Sequence, residues 1–212
     1  MELSYQTILE YLCSQPGEKS QVLTNEFSSS KNIMISADNF PEKISSYLGQ
    51  SKQQFYRYGI TKKNSNGKNI SFITSLLTLL DKNFISFDKN EENTYVNLFL
   101  KQLREKLMDK NFSFELQNKF SKEILIDRID KLSIDDGLLI QLISQIMDIN
   151  FIIMNFESDV LNCVFNGDYL NPWKVCLFFA KSGNDWEPLI SDKKQFSFND
   201  TFLKNILLNE EI

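Results

Sequence analysis

The sequence contains no histidine in 212 residues, and glycine (7) and proline (4) are also scarce. Histidine is the side chain whose charge changes near neutral pH, and it is the usual base in nucleophilic hydrolases. Its absence excludes catalysis by any triad or dyad that depends on an imidazole. Alanine is nearly absent while Lys, Asn, Ile and Phe are abundant, a composition typical of an AT-rich genome.

Cysteine is equally rare. Cys13, Cys163 and Cys176 are an odd number with no C-x-x-C pair, which excludes a disulfide framework and the familiar zinc spacings and favours a reducing compartment. Cys163 and Cys176 lie in apolar stretches, so we expect them to be buried and unreactive. The nucleotide-binding patterns G-x-G-x-x-G and G-x-x-x-x-G-K-[ST] are absent as well. The sequence therefore predicts neither a metal nor a cofactor.

Charge and hydropathy exclude two further kinds of partner. The net charge of −5 and the pI near 4.9 argue against general nucleic-acid binding, which needs a concentrated basic face. The longest basic cluster, Lys62 and Lys63 with Lys68, is short and is interpreted as a solvated loop. The first residues do not resemble a signal peptide, and no apolar run approaches the ~20 residues of a membrane span. We expect a soluble intracellular protein.

The chain divides into two parts at about residue 54. Residues 1–54 contain a short amphipathic pattern over residues 3–13, followed by a polar stretch from Ser14 to Gln54. That stretch is either an extended arm, which wraps the domain or meets a partner, or a flexible tail. Residues 55–212 have the apolar content of one compact domain.

The compact part begins with helical patterns. Residues 71–80 are apolar on nearly every side and predict a buried helix. Residues 95–108 and 114–129 predict two more helices. A fourth is expected to start at Ser133–Asp136 and to continue to Met147, with Asp135 and Asp136 in its first turn. The acidic run Asp88–Glu92 lacks the glycine and ligand spacing of a calcium loop, and it is interpreted as a polar connection.

Strand patterns follow the helices. Residues 150–156, 160–165, 173–180 and 185–190 are short, apolar and bounded by polar residues or a turn. Residues 196–208 are expected to close the chain as a short helix. Helices first and a small sheet afterwards predict an α+β domain, with N-terminal helices packed on a small antiparallel sheet.

Three segments, taken in order, carry a resemblance. They are the loop and helix start at 66–72 (Asn-Gly-Lys-Asn-Ile-Ser-Phe), the helix and strand over 139–153, and the hairpin over 175–190. This order resembles the papain-like fold of the ovarian-tumour (OTU) family of deubiquitinating peptidases. In that family the buried helix begins with the nucleophilic cysteine, and the hairpin carries the catalytic histidine ahead of an aromatic residue.

The sequence departs from that pattern at both catalytic positions. In the alignment we prefer, Ser71 stands at the nucleophile position, after a loop that contains Gly67 and Asn69. A shift of one residue would place Ile70 there instead. Asp185 stands at the histidine position, before Trp186. A serine needs a base to take its proton, and a solvated carboxylate is a very weak one, so the resemblance implies a degenerate site without catalytic residues.

Aromatic residues near this site are candidates for a protein interface. Phe55, Tyr56, Arg57 and Tyr58 form one cluster, and Trp186 beside the degenerate hairpin is a further candidate. Tyr and Arg are enriched at interface hot spots, although core packing is the more frequent role of buried aromatic residues.

The resemblance and the composition together imply a function. The chain is expected to be a non-catalytic OTU-like domain, a pseudoenzyme that serves as a structural or protein-interaction component of a large DNA virus. Its partners would be proteins of the virion or transcription complex, or ubiquitin, and it would be located in the host cytoplasm, the viral factory or the virion. Two alternatives stay open: a ubiquitin-binding module without turnover, and a residual deubiquitinase or peptidase that uses Ser71.

Overall fold

The computed structural model of the protein describes residues 34–36, 40–49, 55–60, 62–64, 66–81, 83–109, 116, 119–132, 137–164, 174–191, 195–197 and 203. The helices within these residues are α1 (Glu42–Gly49), α2 (Ser71–Leu80), α3 (Lys89–Met108), α4 (Lys122–Lys131) and α5 (Leu138–Met147), with a short 3-10 turn at Phe84–Ser86. The strands are β1 (Met34–Ser36), β2 (Tyr56–Tyr58), β3 (Asn150–Asn155), β4 (Val160–Val164), β5 (Cys176–Ser182) and β6 (Asp185–Ile190). None of these helices combines the length and the hydropathy that crossing a membrane requires.

The six strands form one sheet in the order β1-β2-β6-β5-β3-β4. The predicted α+β class is confirmed. The sheet is mixed rather than purely antiparallel, because β3 and β5 run parallel while the other neighbours are antiparallel. The chain leaves β4 at Val164 and enters β5 at Cys176 on the opposite side of β3, and β5 runs in the same direction as β3.

Both faces of the sheet are covered, and this explains why the strands are apolar at consecutive positions. On one face, alternate residues of β3 and β5, such as Phe151 and Phe179, pack in a large core with α2, α3, α4 and α5. On the other face, the intervening residues such as Ile152 and Phe178 pack in a smaller core with Ile44 of α1. We call these the helical face and the second face.

Helices α2, α3, α4 and α5 each correspond to a predicted helical pattern, whereas α1 was not predicted. Helix α2 is buried at all ten positions, as predicted. Helix α3 begins at Lys89, six residues before the predicted start at Tyr95. The Asp88 carboxylate accepts hydrogen bonds from the backbone N–H groups of Asn90 and Glu91, and the Glu91 carboxylate accepts one from the N–H of Asp88. This is a capping box, so the interpretation of residues 88–92 as a polar connection was wrong.

Helices α4 and α5, in contrast to α3, start later than predicted. The Ser121 side chain accepts a hydrogen bond from the N–H of Ile124 and caps α4. Helix α5 follows Gly137, whose φ of +71° lies in the left-handed region that favours glycine. The predicted start at Ser133–Asp136 is therefore wrong by several residues, and residues 133–136 themselves lie outside the described part of the chain.

The described residues of the predicted arm pack on the domain. Strand β1 pairs antiparallel with β2, and α1 contributes the fully buried Ile44 to the second face. The residue before α1 is Pro41, whose side chain has no hydrogen-bond acceptor and cannot cap the helix. The Asp159 carboxylate caps it instead. It accepts hydrogen bonds from the N–H groups of Lys43 and Ile44, both at 3.0 Å.

These residues pack on the domain, but α1 is a helix within the stretch that was predicted to be an extended arm. The boundary at residue 54 stays a prediction. The helix predicted over residues 3–13 lies outside the described residues, as does most of the stretch 196–208, in which Phe196 and Leu203 are buried.

Candidate functional site

The loop before α2 is held by its own asparagine. The Asn64 Oδ1 atom accepts hydrogen bonds from the backbone N–H groups of Asn66 (3.0 Å) and Lys68 (2.9 Å). Gly67 adopts a φ of +75°, and a Cβ atom there would meet nothing within 4 Å, so the position favours glycine for its backbone conformation. A bridge between Lys63 and Asn69 closes the loop. The conformation of this loop therefore sets the position of Asn69 at the start of α2.

Asn69 starts helix α2 and connects it to the β5–β6 hairpin. Its Oδ1 atom accepts a hydrogen bond from the N–H of Ser71 at 2.8 Å, which satisfies one of the free donors at the helix start. Its Nδ2 atom donates to the carbonyl oxygen of Asn184 at 2.7 Å and makes a longer contact of 3.4 Å with Asp185 Oδ1. One carboxamide therefore joins the two segments at which an OTU peptidase would carry its nucleophile and its base.

Ser71 is the first residue of α2, as the preferred alignment requires, and it is fully buried. Its Oγ atom accepts a hydrogen bond from the backbone N–H of Trp186 at 3.0 Å. The hydroxyl is therefore held directly beside the start of strand β6.

Asp185 is the first residue of β6, and an ion pair occupies its carboxylate. The Nζ atom of Lys62 lies 2.8 Å from Asp185 Oδ2, and the two side chains are each 43% exposed. The same Nζ atom lies 3.8 Å from Glu187 Oε1, and Arg57 Nε donates to Glu187 Oε2 at 2.7 Å. Four charged side chains thus form a continuous network along the β2–β6 edge of the site.

Sequence reasoning missed this charge network. It treated Lys62 as part of a solvated basic loop, and it assigned no role to Glu187. The alternation of Asp185 and Glu187 around Trp186 was an available signal, since residues two apart in a strand share a face. Arg57 lies on the same face of the neighbouring strand, where it pairs with Leu189 and is diagonal to Glu187.

The candidate interface requires a correction. Phe55, Tyr58 and Trp186 are at most 2% exposed and belong to the two cores, so they cannot serve as a contact surface in this structure. The side chains of Phe55 and Tyr58 point to opposite faces of the sheet, and each is covered by one of the two cores. Tyr56 and Arg57 are half-buried, so part of each side chain is accessible to a partner protein.

The core position of Trp186 also fixes the Ser71 geometry. Its indole ring packs edge-on against Phe72 at 5.1 Å and Phe179 at 6.2 Å between centroids, and the Lys181 ammonium lies 5.5 Å from its ring centre. Because these contacts hold the tryptophan in the core, its backbone N–H is held against Ser71 as well.

The Ser71 hydroxyl and the Asp185 carboxylate have separate partners in this arrangement. Among the described residues, no hydrogen bond connects Ser71 Oγ to the Asp185 carboxylate, which is bound instead to Lys62 and Asn69. A serine hydroxyl is a weak nucleophile until a base removes its proton. The site therefore brings together the predicted residues Asn69, Ser71, Asp185 and Trp186. Ser71 Oγ is bonded to the Trp186 backbone and Asp185 is bound to Lys62 and Asn69, whereas the buried indole Nε1 of Trp186 has no hydrogen-bond partner among the described residues.

Two cysteines lie in the described part of the chain: Cys163 is half-buried, not buried as the sequence predicted, and Cys176 is buried. Cys176 is fully buried in the second face, and burial raises the pKa of its thiol to about 11, with a small opposing effect of a hydrogen bond from Asn150. It is therefore a protonated core residue at neutral pH, as the sequence predicted. In the part of the chain that the structure describes, no three Cys, Asp or Glu side chains come together in a way that could hold a metal ion.

The sequence and the structure were compared with those of known proteins. No family model and no curated protein matches the sequence. A solved structure described as "Structure of Ovarian Tumor (OTU) domain in complex with Ubiquitin" matches with a TM-score of 0.50 and 13% sequence identity, over 76% of this chain and 84% of that chain. A likeness at this identity establishes the fold alone. The papain-like, OTU-like fold predicted from the order of three short segments is thereby confirmed.

Proposed function

We propose that this chain is a non-catalytic OTU-like domain that acts as a structural or protein-interaction component. One observation carries the proposal: the Ser71 hydroxyl and the Asp185 carboxylate are bound by other groups of the site. Ser71 Oγ is buried and accepts from the Trp186 N–H, and Asp185 is paired with Lys62 and Asn69. A working hydrolase needs an exposed nucleophile that a base can activate.

The energetic argument against turnover has two parts. The chain contains no imidazole, and loss of one triad member typically removes several orders of magnitude in rate. In addition, the Asp185 carboxylate would have to leave its ion pair with Lys62 before it could accept a proton. The Lys62 ammonium lies 2.8 Å from one oxygen of that carboxylate, and the Asn69 carboxamide contacts the other.

Labelling and turnover test this proposal directly. The purified protein is incubated with a fluorophosphonate hydrolase probe, a ubiquitin probe with a reactive C-terminus, and ubiquitin dimers of defined linkage. We expect no labelling and no cleavage, with identical results for wild type and Ser71→Ala. Labelling or turnover that Ser71→Ala abolishes would overturn the proposal and would establish Ser71 as a nucleophile.

A second candidate function is ubiquitin binding without turnover. It is favoured by the structural match, since the matching OTU domain was solved in complex with ubiquitin. Titration of labelled ubiquitin against the purified chain separates the two candidates. Saturable binding supports ubiquitin recognition, and its absence supports a different protein partner.

The biological setting of the proposal is the assembly or transcription apparatus of a large DNA virus. The support for it is the composition rich in Lys, Asn, Ile and Phe and the resemblance of the sequence segments to OTU-like modules of such viruses. Affinity purification of the tagged chain from infected cells, followed by identification of the bound proteins, tests this setting. Recovery of virion or transcription proteins supports it, and recovery of host proteins alone contradicts it.

A further inference from the structure

A groove of about 380 Å³ lies on the side of the Asn64–Lys68 loop that faces helices α3 and α4. Its floor is apolar and is formed by Leu100 of α3 with Ile129 and Leu132 at the end of α4. The groove is separate from the Ser71 site, although one loop contributes Asn69 to the site and Asn64, Asn66 and Lys68 to the groove.

Three asparagines line the groove with unused hydrogen-bonding groups. Asn66 donates through its backbone N–H, but its carboxamide makes no hydrogen bond within the described residues. The same holds for the carboxamide of Asn97 on α3. Asn64 uses its Oδ1 atom inside the loop, which leaves its NH₂ group available. A carboxamide carries a donor and an acceptor, the same pair of groups that an extended peptide backbone presents.

The charged lining of the groove is mainly basic. Lys68, Lys101 and Arg104 lie there against one carboxylate, that of Asp130, which gives a difference of two positive charges in a chain whose net charge is −5. Lys68 Nζ donates to the Asp130 carbonyl oxygen at 3.1 Å and so offsets the negative end of α4.

Two of these cations keep donors for a ligand. Arg104 contacts both oxygens of the Asp130 carboxylate through Nη1 alone, at 2.9 and 3.0 Å, so its Nη2 and Nε donors remain. Lys101 is 70% exposed, and its Nζ atom lies 3.7 Å from the Glu105 carboxylate, beyond hydrogen-bond distance. Both side chains can therefore turn toward an anion in the groove.

We propose that this groove binds an extended acidic segment of a partner protein. The three asparagine carboxamides would pair with the peptide backbone, and an Asp or Glu side chain would lie between Lys101 and Arg104. Opposite charge selects the segment, and apolar contact with the half-buried Leu100 and Leu132 adds affinity. The proposal does not depend on whether the Ser71 site is inactive, because the groove uses none of that site's polar groups.

Fluorescence polarisation with defined peptides tests the proposal. Labelled octamers of Glu, Gln and Lys are titrated with the full chain at about 20 mM and about 200 mM salt, a range over which screening of exposed charges changes strongly. We expect saturable binding of the Glu peptide, weakened severalfold by salt. No saturable binding, or equal binding of the three peptides, would overturn the proposal.

Variants locate the binding in the groove. The double variant Lys101→Ala/Arg104→Ala is expected to weaken binding of the Glu peptide about tenfold, the effect of losing two charge contacts. The matched control Lys89→Ala/Lys122→Ala removes two lysines outside the groove and is expected to bind like wild type. Asn97→Ala keeps every ion pair and is expected to weaken binding severalfold, so the test holds even if the double variant unfolds. Equal weakening in the groove and control variants would assign the binding to overall charge and contradict the site.

Discussion

The two faces of the sheet are filled by different kinds of sequence. Helices α2, α3, α4 and α5 cover the helical face, and each shows its apolar residues at helical spacing. The second face is covered by the short α1, by Phe40 and Phe55, and by Phe196 and Leu203 near the end of the chain. Both faces contain buried cores, but one is covered by long regular elements and the other by single side chains from distant short segments.

Aromatic packing shows the same difference. On the helical face, Phe179 lies 5.5 Å from both Phe72 and Phe151 and 6.2 Å from Trp186, in a cluster that joins α2 to three strands. On the second face, its neighbour Phe178 contacts Phe196 at 4.8 Å and Phe55 at 6.0 Å. Phe178 and Phe179 are consecutive residues of β5, so a difference between them reflects the segments that cover the two faces.

The largest expected effect comes from truncating these two neighbours. Phe179→Ala is expected to lower the free energy of unfolding by about 3–5 kcal/mol, because helices fixed at both ends cannot collapse into the cavity. Phe178→Ala is expected to cost about 1 kcal/mol less, since the short segments around it can move inward. Urea unfolding of both variants measures the difference. A cost for Phe178→Ala equal to or above that of Phe179→Ala would show that the second face is as rigid as the first.

The contrast also explains what the sequence could predict. Helix α2 and strands β3, β4 and β6 were predicted to within one residue of their ends, and β5 to within three, because their apolar runs have a clear length. The second face had no such signal, since Phe40 and Ile44 lie in a stretch rich in polar residues. Strands β1 and β2 are three residues long, too short for a period to be visible.

The candidate site divides in the same way. The proximity of Ser71 to Asp185 followed from the resemblance, because the order of segments implies the fold and the fold brings the helix start to the hairpin. The engagement of Asp185 by Lys62 and Asn69 could not be predicted, since it depends on the exact turn that Asn64 and Gly67 impose. The burial of Trp186 could not be predicted either, because it depends on contacts with Phe72 and Phe179 that the hairpin motif does not contain.

A pH titration of stability reports on the second face. Cys176 is buried there, and burial raises the pKa of its thiol to about 11. The pKa of a cysteine thiol in an unfolded chain is about 8.5. Between these values the unfolded chain loses its thiol proton and the native chain keeps it, so stability falls as pH rises from about 9 to about 11, by up to roughly 3 kcal/mol. Burial also raises the pKa of Tyr58 and Tyr95, which adds a loss in the same direction.

The variant Cys176→Ala separates these contributions. It retains the tyrosines and lacks the thiol, so its free energy of unfolding is expected to fall less steeply than that of wild type over this pH range. Chemical denaturation at several pH values gives the two slopes. Parallel slopes would mean that water reaches the thiol and that the second face is not dry.

The smallest expected effect concerns the attachment of α1 to the second face. Asp159 caps this helix across 116 residues of sequence and holds a left-handed φ of +51° in the β3–β4 turn. Asp159→Ala removes both cap hydrogen bonds and introduces a residue that tolerates this φ poorly, so we expect a loss of about 1–2 kcal/mol. Asp159→Asn is the matched control, because asparagine tolerates the left-handed region and its side-chain oxygen still accepts one hydrogen bond.

Hydrogen exchange distinguishes a local role of Asp159 from a global one. If α1 is a cover held on by its cap, Asp159→Ala raises the exchange rate of the Ile44 to Tyr47 amides severalfold while the amides of β3 and β5 keep their protection. In Asp159→Asn the increase is expected to be smaller. A uniform increase through the sheet would show instead that α1 and the sheet open together, and the second face would then be as cooperative as the face covered by long helices.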